Sequence, residues 1–273
     1  MGTLYICATP IGNLEDASFR LIKTLSTVDV IACEDTRHTQ KLLNHFEIRC
    51  RTISYHQHNR ASRGAELLAM LKEGLSVALV TDAGMPGISD PGADLVEQAS
   101  NAAIPVLAIP GPSAAVTALA VSGLPIDRFV FEGFLPPKSG QRRTRLEAFR
   151  DETRTVVFYE APHRLLALLL DIDAIFSDRT VVVARELTKV HEEVRRGTAK
   201  DLTAHYESHP PKGEITVLLA GAVIVEKTAD LETIADEVEV LIEAGVEKKE
   251  ALKIKAREYG IKKGDLYKLM TQR

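Results

Sequence analysis

The chain has 273 residues, 45% of them hydrophobic and 26% charged, with a formal net charge of −4 at pH 7. That length fits one large domain or two modest ones with real apolar cores. No stretch approaches the ~20 consecutive apolar residues that cross a bilayer, and the opening MGTLYICATPIG has no basic flank leading into an apolar signal core, so a cytoplasmic protein without a membrane partner is expected. Cys7, Cys33 and Cys50 show no CxxC or Cys/His ligand spacing, which speaks against a disulfide framework and against structural zinc and predicts small buried side chains.

In chain order, TLYICAT (3–9) reads as a strand, Asp16 or Ser18 as the cap of a helix through Leu25, and DVIAC (29–33) as a second strand. A helix over 37–46, a strand near 52–54, a helix over 60–73, the strand SVALVT (76–81), a helix from about 92 to 102 and the strand PVLAI (105–109) continue the alternation. Such βα units build a mostly parallel sheet covered by helices, and the sequence predicts an open α/β domain over 1–120. Over 121–225, strands at 128–133, 155–159, 180–185 and 214–220 are separated by helices at about 140–150, 163–172 and 199–207, with EVRRGTA (193–199) as an extra strand, which predicts a second α/β domain with a mixed sheet. After GAVIVEKTAD (221–230), three helical stretches at about 230–244, 247–258 and 263–270 predict a helical, helix-turn-helix-like appendage over 226–273, with Val246, Ala251, Ile254, Ile261, Leu266 and Leu269 spaced to bury one face.

Open α/β sheets bind ligands at the carboxyl ends of their strands. Three turns stand there: ATPIGNL (8–14), TDAGMPGISDPG (81–92) and IPGPSAA (109–115). Glycine lets backbone approach a ligand and proline stiffens the loop. Any one of them could be an ordinary turn, but three after successive strands point to a ligand floor. Neither GxGxxG nor GxxxxGK[ST] occurs, so the expected ligand is nucleoside-like, held by backbone, and without a pyrophosphate.

Positive charge is concentrated in two places despite the negative total. PPKSGQRRTRL (136–146) carries Lys138, Arg142, Arg143 and Arg145 with no acidic residue. Residues 246–273 carry nine Lys/Arg against four acids, whereas 226–245 carry one base against seven acids. Either run could be a solvated face; both also suit phosphates.

Taken in order, ATPIGNL, CEDTR (33–37), YHQHN (55–59), TDAGMPGISDPG, PGPSA, SGLP (122–125), FYEAPHR (158–164), RELTKVHEE (185–193) and KGEIT (212–216) resemble the ribosomal small subunit methyltransferase I family of the tetrapyrrole-methylase fold group. The resemblance implies a two-domain class III methyltransferase, a homodimer, with S-adenosylmethionine in the cleft between domains. The implied reaction is 2′-O-methylation of a ribose in 16S rRNA, at cytidine 1402 of the decoding region in the RNA's own numbering. The alternative is a methyltransferase of the same fold acting on a small molecule such as a tetrapyrrole.

Carried over by position, the implied cofactor residues are Pro10 and Gly12; Asp82, Ala83, Gly84, Met85 and Ile88; Ser113 and Ala114; Tyr159 and Glu160; and Glu214, Ile215 and Thr216. The chain departs from tetrapyrrole methylases at Asn13, where they carry an acid after the first-loop glycine. Loss of the 2′-hydroxyl proton needs no metal, and the catalytic candidates are Glu34, Asp35, Arg37 and Lys189, with Glu192, His56 and His58 as further proton acceptors. Glu34 and Asp35 beside Arg37 also read as a helix start with a local ion pair, and Lys189 and Glu192 as a surface pair. His56, His58, Lys138, Arg142, Arg143, Arg145, Lys248, Lys249, Lys262 and Lys263 are the expected contacts to 16S rRNA or the small subunit.

Overall fold

The computed structural model describes residues 1–223 and 229–272 and divides into two compact units, Met1–Ala222 and Val223–Arg273. The expected break at 225/226 lies outside the described residues.

In the first unit, short β-branched runs form β1 (Leu4–Cys7), β2 (Val30–Cys33), β3 (Arg51–Ser54), β4 (Val77–Leu79) and β5 (Val106–Ile109). They pair in the order β3-β2-β4-β1-β5, parallel throughout. Parallel strands are covered on both faces, so they read as continuous apolar runs, and the two faces separate residue by residue. Leu4, Ile6, Val30 and Ala32 pack with Leu67 and Leu95 of α3 (Arg60–Lys72) and α4 (Ala93–Asn101). Cys7, Ile31 and Cys33 pack with Leu21 and Leu43 of α1 (Phe19–Thr27) and α2 (Thr36–His45). The Ser18 hydroxyl accepts from the Leu21 amide at 3.0 Å, which settles Ser18, not Asp16, as the cap of α1. Cys7 and Cys33 are fully buried and Cys50 partly so; burial pushes the Cys7 thiol up to about 12.

An unforeseen helix follows, α5 (Ala114–Ser122). Its sequence AAVTALAVS is apolar nearly all round and gives no amphipathic period. One face is buried under the second sheet, where Ala115, Ala118 and Leu119 meet Val157, Val182 and Leu218, while Val116 and Val121 stay exposed.

The second sheet runs β6-β7-β10-β8-β9, from β6 (Phe129–Phe134), β7 (Thr155–Glu160), β8 (Thr180–Arg185), β9 (Glu193–Thr198) and β10 (Ile215–Leu219). Only β6 and β7 pair in parallel; β10 is antiparallel to β7 and β8, and β9 to β8, a mixed sheet as expected. Its outer face is closed by α6 (Ser139–Glu147), α7 (Leu165–Ile175) and α8 (Ala199–Ser208), around Phe158, Leu168, Val183 and Val217.

The Val223–Arg273 unit holds α9 (Leu231–Glu243), α10 (Lys248–Glu258) and α11 (Lys263–Gln272). Helices α9 and α10 end at Gly245 and Gly260, at φ of 92° and 64°, where glycine is favoured. Ile234, Val238, Ala251, Leu252, Tyr259 and Leu266 are buried together. Ile254, expected inside, is 42% exposed, and its neighbour Leu252 takes the core position. Among the described residues no helix is long and apolar enough to span a membrane.

Candidate active site

The three post-strand loops of the first sheet are bonded into one floor. Thr9 and Gly84 exchange backbone hydrogen bonds at 3.0 and 3.1 Å, and the Thr9 hydroxyl donates to the Thr81 carbonyl at 3.0 Å. Gly84 holds φ at 81°, and a Cβ there would lie 3.6 Å from Ile11 and 3.7 Å from the Pro112 carbonyl oxygen. Gly111 lets the third loop rest on Ala8, whose Cβ would be 3.1 Å from its own.

Above this floor is a cavity of about 480 Å³, within the range of small-ligand sites. The first sheet lines it with Ile11, Glu34, the segment Thr81–Met85, Ile88–Asp90, Ser113 and Ala114. The second lines it with Phe134, Tyr159–Pro162, Ala184, Leu187 and Gly213–Thr216. Five of these residues are carboxylates, Glu34, Asp82, Asp90, Glu160 and Glu214, and among the described residues none of the lining is Lys, Arg or His. The cavity therefore has a negative field. Burial raises the Glu34 pKa, and the charges of Asp90, Asp82 and Asp35 add to the rise. Burial, then Asp82, likewise raises Asp90. Glu160 is 2% exposed; its Oε1 accepts from the Ala161 amide at 2.8 Å and lies 3.0 Å from Arg164 Nε, while Oε2 has no partner among the described residues. A buried carboxylate oxygen of that kind needs a donor.

Of the residues expected to hold a cofactor, Asp82, Ala83, Gly84, Met85, Ile88, Ser113, Ala114, Tyr159, Glu160, Glu214, Ile215 and Thr216 all border the cavity. Pro10 and Gly12 do not; Ile11, between them, does. Gly12 instead lies under the aliphatic stem of Lys189, which a Cβ would strike. Asn13 caps a short 3-10 turn, its Oδ1 accepting from the Glu15 amide at 3.1 Å.

The catalytic candidates separate. Glu34 lines the cavity. Asp35 caps α2, accepting from the Arg37 amide at 2.8 Å, and the Arg37 side chain is 94% exposed, so these two follow the helix-start reading. Lys189 bonds Glu186 at 2.7 Å and Glu214 at 3.2 Å, whereas Glu192 accepts from the Thr188 amide at 2.6 Å, so among the described residues the alternative Lys189–Glu192 surface pair does not form. Glu186 and Thr188 take φ of 52° and 68°, so the segment turns instead of winding as a helix. Burial lowers the Lys189 pKa, but Glu186 and Glu214 outweigh it, and the ammonium stays protonated.

Arg142, expected on RNA, is 4% exposed and bonded to Asp171 at 2.7 Å, so its charge is neutralised in the core. Arg143 shares Asp171 at 2.8 Å, and Arg145 is paired with Glu132; Lys138 is exposed at the start of α6. His58 is exposed, while His56 Nδ1 accepts from the His58 amide at 3.2 Å. Lys248, Lys249 and Lys262 are exposed and Lys263 half-buried.

Sequence reasoning missed Asp90, Phe134, Ala184 and Leu187. Asp90 was within reach, as the second acid of TDAGMPGISDPG; the apolar three carry no signal apart from the fold. Among the described residues no group of three His, Cys, Asp or Glu is placed to hold a metal ion.

Residues 3–203 match the family model of tetrapyrrole (corrin/porphyrin) methylases. The chain is similar to the ribosomal RNA small subunit methyltransferase I of Synechocystis sp., 48% identical over 274 residues that cover 100% of this chain and 98% of that protein. The enzyme of the same name from Thermotoga maritima is 50% identical over 221 residues, 81% of this chain and 99% of the relative. Among solved structures, diphthine synthase superposes with a TM-score of 0.63 at 15% identity, covering 81% of this chain and 90% of that one, a likeness of fold.

Proposed function

The chain belongs to the tetrapyrrole (corrin/porphyrin) methylase family, among its ribosomal RNA small subunit methyltransferase I members, and on that premise we propose that it methylates the 2′-hydroxyl of cytidine 1402 in 16S rRNA with S-adenosylmethionine. The observation that carries the choice of donor is the charge of the cavity, five carboxylates and no basic lining residue among those described. A sulfonium with an ammonium group suits that field; a pyrophosphate or an acidic macrocycle does not.

The residues fit such a molecule. Gly84 and Ser113 bring backbone to the cavity, Tyr159 offers a ring face held against Phe131 and Phe134, and the free Oε2 of Glu160 accepts from an amino or hydroxyl group. When bound, S-adenosylmethionine supplies an electrophilic methyl group, so the chain's own work is to align the acceptor and remove its proton. Glu34 is the proton acceptor in this reading. It borders the cavity with a pKa raised toward the working range, whereas Asp35 is held in a cap and Lys189 carries its proton already.

A homodimer in the cytoplasm completes the proposal. Its support is the apolar surface on the edge strands β5 and β6 and on α5, where Leu107, Val116, Phe129 and Phe134 are 41–58% exposed.

The test is methyl transfer from labelled S-adenosylmethionine to purified small subunits, with the label mapped by nuclease digestion and mass spectrometry. The label should appear on the ribose of one cytidine. Label on a base, or on a tetrapyrrole and not on RNA, would overturn the reading.

A further inference from the structure

The acidic cavity cannot hold the phosphates of an RNA whose acceptor nucleotide enters it, and Arg142, Arg143 and Arg145 are engaged by Asp171 and Glu132. A second cleft lies on the outer face of the second sheet, where α8 meets β8 and β9. One carboxylate serves several cations there. Glu193 accepts from Arg185 Nε at 3.2 Å and from Arg195 Nε at 2.6 Å. Among the described residues the Nη groups of both arginines have no acceptor. Lys212 is exposed at the rim, and the imidazoles of His205 and His209, stacked at 4.7 Å, form a wall. Two guanidiniums and an ammonium against one carboxylate leave a positive surplus, and guanidinium forks match phosphate oxygens.

Sheet register joins this cleft to the cavity. Glu160 pairs with Ile215, Ile215 with Arg185, and Arg185 with Glu193, so four residues stand in one row across the ends of β7, β10, β8 and β9. Glu160 and Ile215 border the cavity; Arg185 and Glu193 border the cleft. Neighbouring strands are ~4.8 Å apart, which puts Arg185 roughly 10 Å from Glu160 along the row. The loop after α8 makes the same link, since Lys212 borders the cleft while Gly213 and Glu214 border the cavity.

We propose that the cleft of Arg185, Arg195 and Lys212 binds phosphodiester groups of the substrate RNA next to the acceptor nucleotide, a deepening that rests on the RNA reading above. The acidic cavity takes the cationic cofactor and the basic cleft takes the backbone.

The test uses the full chain with Arg195→Gln and Lys212→Gln combined, measuring affinity for purified small subunits and for a single-stranded RNA oligonucleotide between 50 and 200 mM salt. Because each phosphate contact to a single strand contributes about −0.7 to the slope of log K against log salt, the slope should shrink by roughly 1.4, with affinity about tenfold weaker at low salt. S-adenosylmethionine affinity by calorimetry and the melting temperature should not move, and Arg195→Lys with Lys212→Arg should keep the slope. A charge-matched control, Lys23→Gln with Lys72→Gln on α1 and α3, should leave RNA binding unchanged. Wild-type binding of RNA with an unaltered slope in the cleft variant, or an equal loss in the control, would overturn the cleft alone. A wild-type chain that binds neither RNA would overturn the RNA reading and the cleft with it.

Discussion

Around the cavity, the first sheet presents Ala83, Gly84, Ser113 and Ala114, mostly backbone and small side chains, whereas the second presents Phe134, Tyr159, Glu160, Leu187 and Glu214. The contrast follows from strand direction. All five strands of the first sheet are parallel, so their carboxyl-end loops gather along one edge and can be bonded into a floor, as Thr9 and Gly84 are. In the second sheet β10 begins at the edge where β7 and β8 end, so the cavity meets strand termini and their side chains. One sheet therefore supplies a rigid floor with three carboxylates, Glu34, Asp82 and Asp90, and the other supplies the aromatic wall with Glu160 and Glu214.

The largest expected effect breaks the rigid side. Gly84→Val places a β-branched residue at a φ of 81°, beside Ile11 and the Pro112 carbonyl at the lining of the cavity. Cofactor binding measured by calorimetry should be abolished in protein that is still folded by circular dichroism. Normal affinity in folded Gly84→Val would remove the loops from the cofactor site.

On the second sheet the charges are partly structural, and Asp171→Ala sharpens that distinction. It leaves Arg142 buried without its counter-ion, a change that costs about 3–5 kcal/mol, while Arg143→Ala, at a side chain 52% exposed, should cost under about 1 kcal/mol. Urea unfolding checks both. If Asp171→Ala were as stable as wild type but bound RNA differently, Arg142 would belong to the RNA surface after all.

Glu34 is the one of the three first-sheet carboxylates that is given a chemical role. Glu34→Gln should lower turnover about 10²-fold, equivalent to ~2.7 kcal/mol, with cofactor affinity retained. A base works when deprotonated, so activity should fall on the acid side, and the raised pKa moves that limb upward in pH. Asp90→Asn removes a like charge, lowers the Glu34 pKa and should shift the limb to lower pH. A pH–rate profile identical in both variants would exclude Glu34 as the proton acceptor.

How far this was legible depended on distance along the chain. Every strand lies in a segment the sequence marked as one, including EVRRGT of the edge strand β9, and the three loops announced themselves by glycine and proline directly after strands. Helix α5 was not legible because its exposed face, with Val116 and Val121, is as apolar as its buried face, which erases the period that marks a helix. Arg142 looked like a surface cation because its partner Asp171 is 29 residues away on α7, in a mostly apolar run. Lys189 and Glu192 looked paired because helical spacing was assumed across a segment that positive φ at Glu186 and Thr188 bends away.

The smallest effect extends the comparison to the C-terminal unit. The nine Lys/Arg of 246–273 are not equivalent, since Lys255 is held by Glu237 at 2.6 Å and Glu258 at 2.8 Å, while Lys248, Lys249 and Lys262 stand exposed. The unit has its own buried cluster around Val238, Leu252 and Leu266, and the Met1–Ala222 unit has separate clusters on both sheets. The Thermotoga maritima relative is matched over 221 residues, 99% of its length, close to the length of the first unit. Deleting residues 226–273 should therefore leave a folded protein that binds S-adenosylmethionine, with RNA affinity reduced by roughly tenfold and a flatter salt dependence as three or four phosphate contacts are lost. If the helices serve instead as a cap for the second sheet, the truncated protein melts early or precipitates. Melting temperature and RNA affinity measured on the same truncation separate the two, and unchanged RNA affinity in a stable core would exclude the C-terminal lysines from the RNA surface.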